Sequence, residues 1–325
     1  MARIALVHDI AGVAKIQARL LRSAGHDVDE IALPRTGASW RWPFKAFALA
    51  LRVLGYVPAA GRLRSGRYDV VHIHWLPVGI VGVMAGVPFH AQAHGSDLHQ
   101  NLRNPMLRWV TRLVLRRAKI VFYVTPNLLE YLKGFESKAR LLPNPVEPRE
   151  VAPDPSAPAE VKKVVIFTRL DPVKGVDRIF PAVDELAGRV ELTALDWGPL
   201  ATEYKHRYGG QVRFVGAVPH EQIGHFLQGF DVAIGQMLQG ILSLMELEAM
   251  ASGRPLVTGL DADLYREDAP PVIRAVSPSE IVAALQGLTG EPDELMRLSR
   301  AGRDWVARHH GYAHHLELLS AAYFS

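Results

Sequence analysis

Short apolar runs separated by helix-length amphipathic stretches recur along the whole chain. In the first half they fall at residues 4–7, 28–32, 70–74, 89–93 and 120–124; in the second, at 164–167, 190–195, 212–215, 231–235 and 255–258. The runs are continuous in Val, Ile and Leu rather than alternating with polar residues, which is how parallel strands covered on both faces read. Each half is accordingly predicted to be a doubly wound α/β domain, with helices on both faces of a parallel sheet.

Between the halves, residues 143–158 contain six prolines in sixteen positions, too many for regular hydrogen-bonded structure. The expected organisation is an N-terminal domain over 1–145, a Pro-rich linker over 146–162, a C-terminal domain over 163–300 and a helix over 301–325 that returns toward the first domain. A ligand is expected at the carboxyl ends of the strands, in a cleft between the two domains. The apolar stretch 70–89 is long enough to suggest a membrane span. His72 and His74 lie inside it, and Pro77, Gly79, Gly82 and Gly86 divide it, so a buried strand followed by a small-residue helix is expected instead. Residues 1–9 read as a first buried strand rather than a signal peptide, and a cytoplasmic location is the expectation.

The 325 residues include no cysteine, which excludes a disulfide scaffold, a thiolate zinc site and a cysteine nucleophile. Hydrophobic residues at 49% and charged residues at 22% rule out disorder for most of the chain. The net charge of +4 hides an asymmetry, because residues 1–150 carry +11 and the remainder −7. Something anionic is expected to meet the first half: a membrane surface, a phosphorylated ligand or nucleic acid.

Three segments carry candidate chemistry. The loop after the first strand of the second half, residues 167–175, holds Arg169 and Lys174. One is a fork and the other a point charge, so together they suit a diphosphate; a solvated loop with a C-capping glycine is the alternative. Residues 240–253 enter a helix that ends at Gly253, and the first N–H groups of such a helix can hold phosphate oxygens. Glu248 lies on this otherwise apolar helix, where a carboxylate is costly unless a hydroxyl or cation meets it; Glu246 is as readily a solvent-facing residue. The third segment is His94-Gly95-Ser96-Asp97 at the end of a first-half strand. There His94 and Asp97 can contact a sugar or transfer a proton, with Asp97 as N-cap of the following Arg-rich helix the alternative.

In this order, and with the linker between the first and the other two, these segments resemble the family 4 glycosyltransferases of the GT-B fold. Val70-Val71-His72-Ile73-His74 is similar to that family's V-H-x-H strand, His94-Gly95-Ser96-Asp97 to its H-G-x-D loop, and Leu141-Leu142-Pro143-Asn144-Pro145-Val146 to its linker entry. Arg169 and Lys174 match its R-L-x-x-x-K-G, and residues 248–255 its E-A-M-A-x-G-x-P.

The resemblance implies two Rossmann-like domains and a retaining transferase that uses a nucleoside-diphosphate sugar without a metal. Arg169 and Lys174 would neutralise the donor diphosphate, Glu248 would accept from the ribose hydroxyls, and Gly216 and Val218 would border the base. The backbone of Gly240, Ile241, Leu242, Ser243 and Leu244 would complete the donor site. His94 would contact the transferred sugar near the reacting carbon, and Gly12 and Asp97 fall on the acceptor side, where a glycan or lipid-linked acceptor is implied. One departure stands out: the family's E-x7-E pattern places a glutamate where this chain has Gly240, with Gln236 and Gln239 as candidate substitutes. A catalytically silent nucleotide-sugar binder or partner subunit, and an epimerase of the same fold, therefore stay open beside the transferase.

Other signals are weaker. Asp261-Ala262-Asp263 imitates a metal-binding D-x-D, yet reads better as a surface loop. His309, His310, His314 and His315 read as a solvated helix rather than a zinc site, since Gly311 interrupts them. Residues 40–45 mix tryptophan with cations, and Arg108, Arg112 and Arg116 share one helical stripe, a combination that suits an anionic bilayer. No motif of the nucleic-acid-binding folds is present, so no nucleic-acid partner is expected.

Overall fold

A computed structural model describes residues 1–34, 53–99, 101–147 and 160–324. The tryptophan-rich loop at 40–45 and most of the Pro-rich linker lie outside the described residues. The chain divides into two compact units, one formed by Met1–Pro145 with Ala313–Ser325 and the other by Val146–Tyr312.

The first unit is built on six parallel strands: β1 (Arg3–Val7), β2 (Asp27–Ile31), β3 (Val70–His74), β4 (His90–Ala93), β5 (Val121–Tyr123) and β6 (Ala139–Leu141). They lie in the order β2-β1-β3-β4-β5-β6. One face of the sheet is apolar, with Ala5, Val7, Val71, Ile73, Ala91 and Ala93 buried in a single core. The opposite face joins Ile4, Leu6, Val70 and Phe122 to a ladder of polar residues. His72 pairs in register with His90 and His74 with Gln92, and all four are buried. Gln17 of the helix Val13–Ser23 bonds Gln92 of that ladder and also His315 of the helix Tyr312–Tyr323, whose Tyr323 meets His72.

The second unit has β7 (Lys163–Ile166), β8 (Glu191–Leu195), β9 (Val212–Val215), β10 (Val232–Ile234), β11 (Leu256–Thr258) and β12 (Ile273–Arg274). All are parallel, in the order β12-β11-β10-β7-β8-β9. The strand order reverses between β7 and β10, so the loops after those two strands diverge and leave a crevice at the carboxyl edge.

Strands β6 and β12 leave no signal in the sequence, because three- and two-residue edge strands with exposed positions carry no apolar run. Two expectations need correction. Val146 is 1% exposed and its N–H donates to His310 O at 2.8 Å, so it is already core rather than linker. The C-terminal stretch is two helices, Pro292–His310 and Tyr312–Tyr323, separated where Gly311 turns extended at ψ 152°. It is not solvated throughout: His310 and His315 are buried, and His315 Nδ1 donates to Pro143 O at 2.8 Å. No helix among the described residues is long and apolar enough to cross a membrane.

Candidate active site

The crevice of the second unit is framed by residues 167–175 after β7 and 235–243 after β10. Leu170 anchors the first loop in the core, and its N–H donates to Trp197 O at 2.8 Å. Asp171 caps the short turn Pro172–Lys174 by accepting from Val173 N at 3.1 Å, and its other oxygen pairs with Arg169 Nη2. The guanidinium of Arg169 lies 5.9 Å from the Trp197 ring centroid, while its buried Nε has no hydrogen-bond partner. Arg169 thus holds an unused donor at the carboxyl end of β7.

The two loops are tied together. Lys174 O accepts from Met237 N at 2.8 Å, and Lys174 Nζ donates to Gln239 Oε1 at 2.6 Å. Gly175, at φ +71°, would bring a Cβ within 2.9 Å of Leu238 Cγ, so only glycine allows this approach. Burial lowers the pKa of Lys174, and Arg169 adds to the effect, while Glu246 and Asp171 oppose it. An incoming anion would relieve that cost.

The loop after β10 is organised by a buried amide and a buried carboxylate. Gln236 is fully enclosed; its Oε1 accepts from Leu238 N at 2.9 Å and Gln239 N at 2.6 Å, and its Nε2 donates to Ile241 O at 2.8 Å. Glu246 is 1% exposed and accepts from Gln236 N at 3.0 Å, Ser243 N at 2.7 Å and Thr258 Oγ1 at 2.5 Å. A solvent-facing role for Glu246 is therefore wrong: it closes a capping box with Ser243 at the start of the helix Leu244–Ala251. The first intrahelical bond there, Leu247 N to Ser243 O, leaves the N–H groups of Leu244 and Met245 ahead of the ladder. Ile241 and Leu242 are buried, and Leu242 N already donates to Tyr265 OH at 3.1 Å.

Glu248, 2% exposed, is met by a group the sequence did not single out. His220 Nε2 lies 2.9 Å from its Oε1. His220 follows the segment that holds Gly216, which is exposed, and Val218, which packs against the core. The motif P-H-E-Q around it carries no helical or strand periodicity, so only the fold pairs these residues.

In the first unit, His94 Nε2 lies 3.2 Å from His74 Nδ1. Burial, with the nearby His8, holds the pKa of His94 down to about 3, so the ring is neutral. Asp97, expected to face an acceptor or cap the Arg-rich helix, does neither. It is fully buried and accepts from Leu76 N at 3.0 Å and His94 N at 2.9 Å, and burial pushes its pKa up to about 6. Asp97 thereby joins the loops after β3 and β4, while Asn104 caps the helix Pro105–Arg117. Gly12 precedes the helix Val13–Ser23, and Asp9 Oδ1 accepts from Ala14 N at 3.0 Å in that first turn. Asp261 accepts from Asp263 N within a surface turn. No group of three or more metal-binding side chains clusters among the described residues.

Residues 13–150 match the family described as Glycosyltransferase Family 4, and residues 161–289 match Glycosyl transferases group 1. A GDP-mannose-dependent alpha-(1-6)-phosphatidylinositol monomannoside mannosyltransferase of Mycobacterium tuberculosis is 27% identical over 248 residues, covering 66% of this chain and 64% of that protein. The chain thus spans just under two thirds of that relative's length. A 2-deoxystreptamine glucosyltransferase of Streptomyces kanamyceticus is 26% identical, covering 79% of this chain and 77% of its own. Among solved structures, a sucrose-phosphate synthase from Thermosynechococcus elongatus superposes with a TM-score of 0.79 at 18% identity, covering 99% and 98% of the two chains. HepE of Anabaena, solved with UDP and glucose, gives 0.75 at 12% identity, covering 99% of each. Matched in both halves and sharing this fold of two parallel six-stranded sheets, the chain belongs to the GT-B glycosyltransferases that join a Family 4 domain to a group 1 domain.

Proposed function

We propose that the protein transfers a glycosyl group from a nucleoside-diphosphate sugar to an acceptor hydroxyl, with retention of configuration. The observation that carries this reading is the pair Arg169 and Lys174 on the loop after β7, knitted to the loop after β10 at the strand-order reversal. Arg169 and Lys174 meet the diphosphate and stabilise the charge that develops as the nucleotide departs, which is electrostatic catalysis by fixed cations without a metal. Glu248 accepts from the ribose, Gly216 and Val218 border the base, and the backbone from Gly240 through Ile241, Leu242 and Ser243 to Leu244 lines the donor. His94 contacts the transferred sugar as a neutral ring, and Gly12 serves the acceptor.

For the panel, the relatives' names supply GDP-mannose and UDP-glucose as donors and phosphatidylinositol monomannoside and 2-deoxystreptamine as acceptors, to which other glycans and lipid-linked glycans are added. Lys174→Ala and Glu248→Ala are each expected to lower the transfer rate by about a hundredfold or more while thermal unfolding stays cooperative, and EDTA is expected to leave the wild-type rate unchanged. Full activity in both variants would remove the assignment; a rate lost in EDTA and restored by a divalent ion would remove the metal-free mechanism. A second reading, a silent binder, is favoured by Gly240, and nucleotide-sugar binding with neither transfer nor hydrolysis across the panel would establish it.

The basic half is proposed to meet an anionic membrane surface through the helix Pro105–Arg117. Met106 and Trp109 are 52% and 65% exposed there, with Arg112 and Arg116 exposed further along. Flotation with anionic vesicles, weakened by salt, is the expected outcome; equal binding to neutral vesicles would defeat it.

A further inference from the structure

Glu248 is a carboxylate on a helix that is otherwise apolar around it. Every residue from Glu246 to Ala251 is buried, and a carboxylate in such surroundings is costly unless a donor reaches it. One donor comes from another element, 28 positions earlier in the chain. His220 opens the short turn His220–Gln222 after β9, and its Nε2 lies 2.9 Å from Glu248 Oε1. An ionised carboxylate only accepts, so the ring N–H donates.

The turn that carries His220 is held on both sides. Val218 before it and Ile223 after it pack against the core containing Leu247 and Met250, and Gln222 N donates to Pro219 O at 2.9 Å. The ring itself is half exposed, its side chain keeping 49% of its accessible surface, whereas that of Glu248 keeps 3%. This is the arrangement of a fixed donor at the rim and a recessed acceptor behind it. A carboxylate has about four lone-pair sites, and the bond from His220 fixes the direction of one of its oxygens, Oε1.

We infer that His220 is a positioning residue for nucleotide recognition: it holds the Glu248 carboxylate in the orientation that reads the ribose hydroxyls, and it couples that carboxylate to the base-bordering segment containing Gly216 and Val218. The inference rests on the reading of Glu248 as the ribose acceptor. It assigns to one pair of residues the preference for a ribonucleotide over a deoxynucleotide.

The test is calorimetric binding of UDP and GDP to the full chain, each compared with its 2′-deoxy and 3′-deoxy analogue. The wild type is expected to prefer the ribonucleotide. In His220→Ala that preference should shrink by roughly tenfold, the size of one hydrogen bond to a charged group, with the affinity for the deoxy analogue unchanged. His220→Gln, which keeps an N–H donor, should restore much of it. The inference is overturned if His220→Ala retains the full preference, or if it weakens ribo- and deoxynucleotides equally, which marks a merely structural role. A wild type that binds the nucleotides without any preference overturns the role of Glu248 and this inference with it, while leaving the cation site of Arg169 and Lys174 standing. A wild type that binds neither UDP nor GDP overturns the donor reading as a whole.

Discussion

Gly240 occupies the position at which the family pattern carries a glutamate, and its backbone explains why no side chain is there. Its φ is +68°, in the left-handed region, and a Cβ would lie 3.0 Å from Asp261 Cβ. Gly240 O also accepts from Asp261 N at 2.9 Å, so the loop is pinned in that conformation. Installing the family residue as Gly240→Glu is expected to cost roughly 1–2 kcal/mol from the left-handed strain alone, without raising transfer or altering donor preference. Denaturant unfolding and the donor panel check this; a stable variant with higher activity would show that the loop has room for the glutamate after all. The two neighbouring amides looked equivalent in the sequence. Their partners separate them: Gln236 is consumed by the loop's own backbone, whereas Gln239 is half-buried and faces Lys174.

At the scale of elements, the polar ladder on β3 and β4 makes a testable demand on stability. Burial lowers the pKa of His90 to about 4 and of His94 to about 3, and pushes those of His72 and His74 well below the ordinary value of 6.5. Below pH 6.5 the unfolded chain therefore takes up protons that the folded chain refuses, and stability falls as the pH falls toward 4. Each such histidine contributes up to about 1.4 kcal/mol per pH unit in that window. Asp97 works the other way: with a folded pKa of about 6 against 3.8, it favours the folded chain as the pH drops between those values and offsets part of one histidine's effect. Urea unfolding at pH 7 and pH 4.5 should show a clear loss at the lower pH, and His90→Gln should flatten the slope by one histidine's share. An unchanged midpoint would mean the ladder is hydrated and charged in the folded state. The V-H-x-H strand was legible from its residues, but its environment was not. Tyr323, which meets His72, lies 251 positions away, and Gln17, which meets Gln92, is joined in turn to His315.

For the molecule as a whole, the asymmetry of +11 against −7 separates two tasks. The proposed diphosphate site lies in the acidic half, so its attraction for an anion comes from Arg169 and Lys174 rather than from bulk charge. The surplus of the basic half is the charge on which the proposed membrane contact depends. Residues up to Pro145 and those from Ala313 onward form one compact unit, so the chain's last helix belongs with its beginning.

The amino-acid sequence by itself determined the two parallel-sheet domains, the two cations after β7 and the glycine that breaks the family pattern. Each of these is a local matter: apolar periodicity, and short loops whose spacing follows from one strand meeting one helix. Only the tertiary structure decided that Glu246 is a buried clamp, that Asp97 joins two loops and that His220 meets Glu248. Those assignments depend on which distant segments share a core, and no pattern within a single segment records the burial or the partner that makes a polar side chain structural or functional.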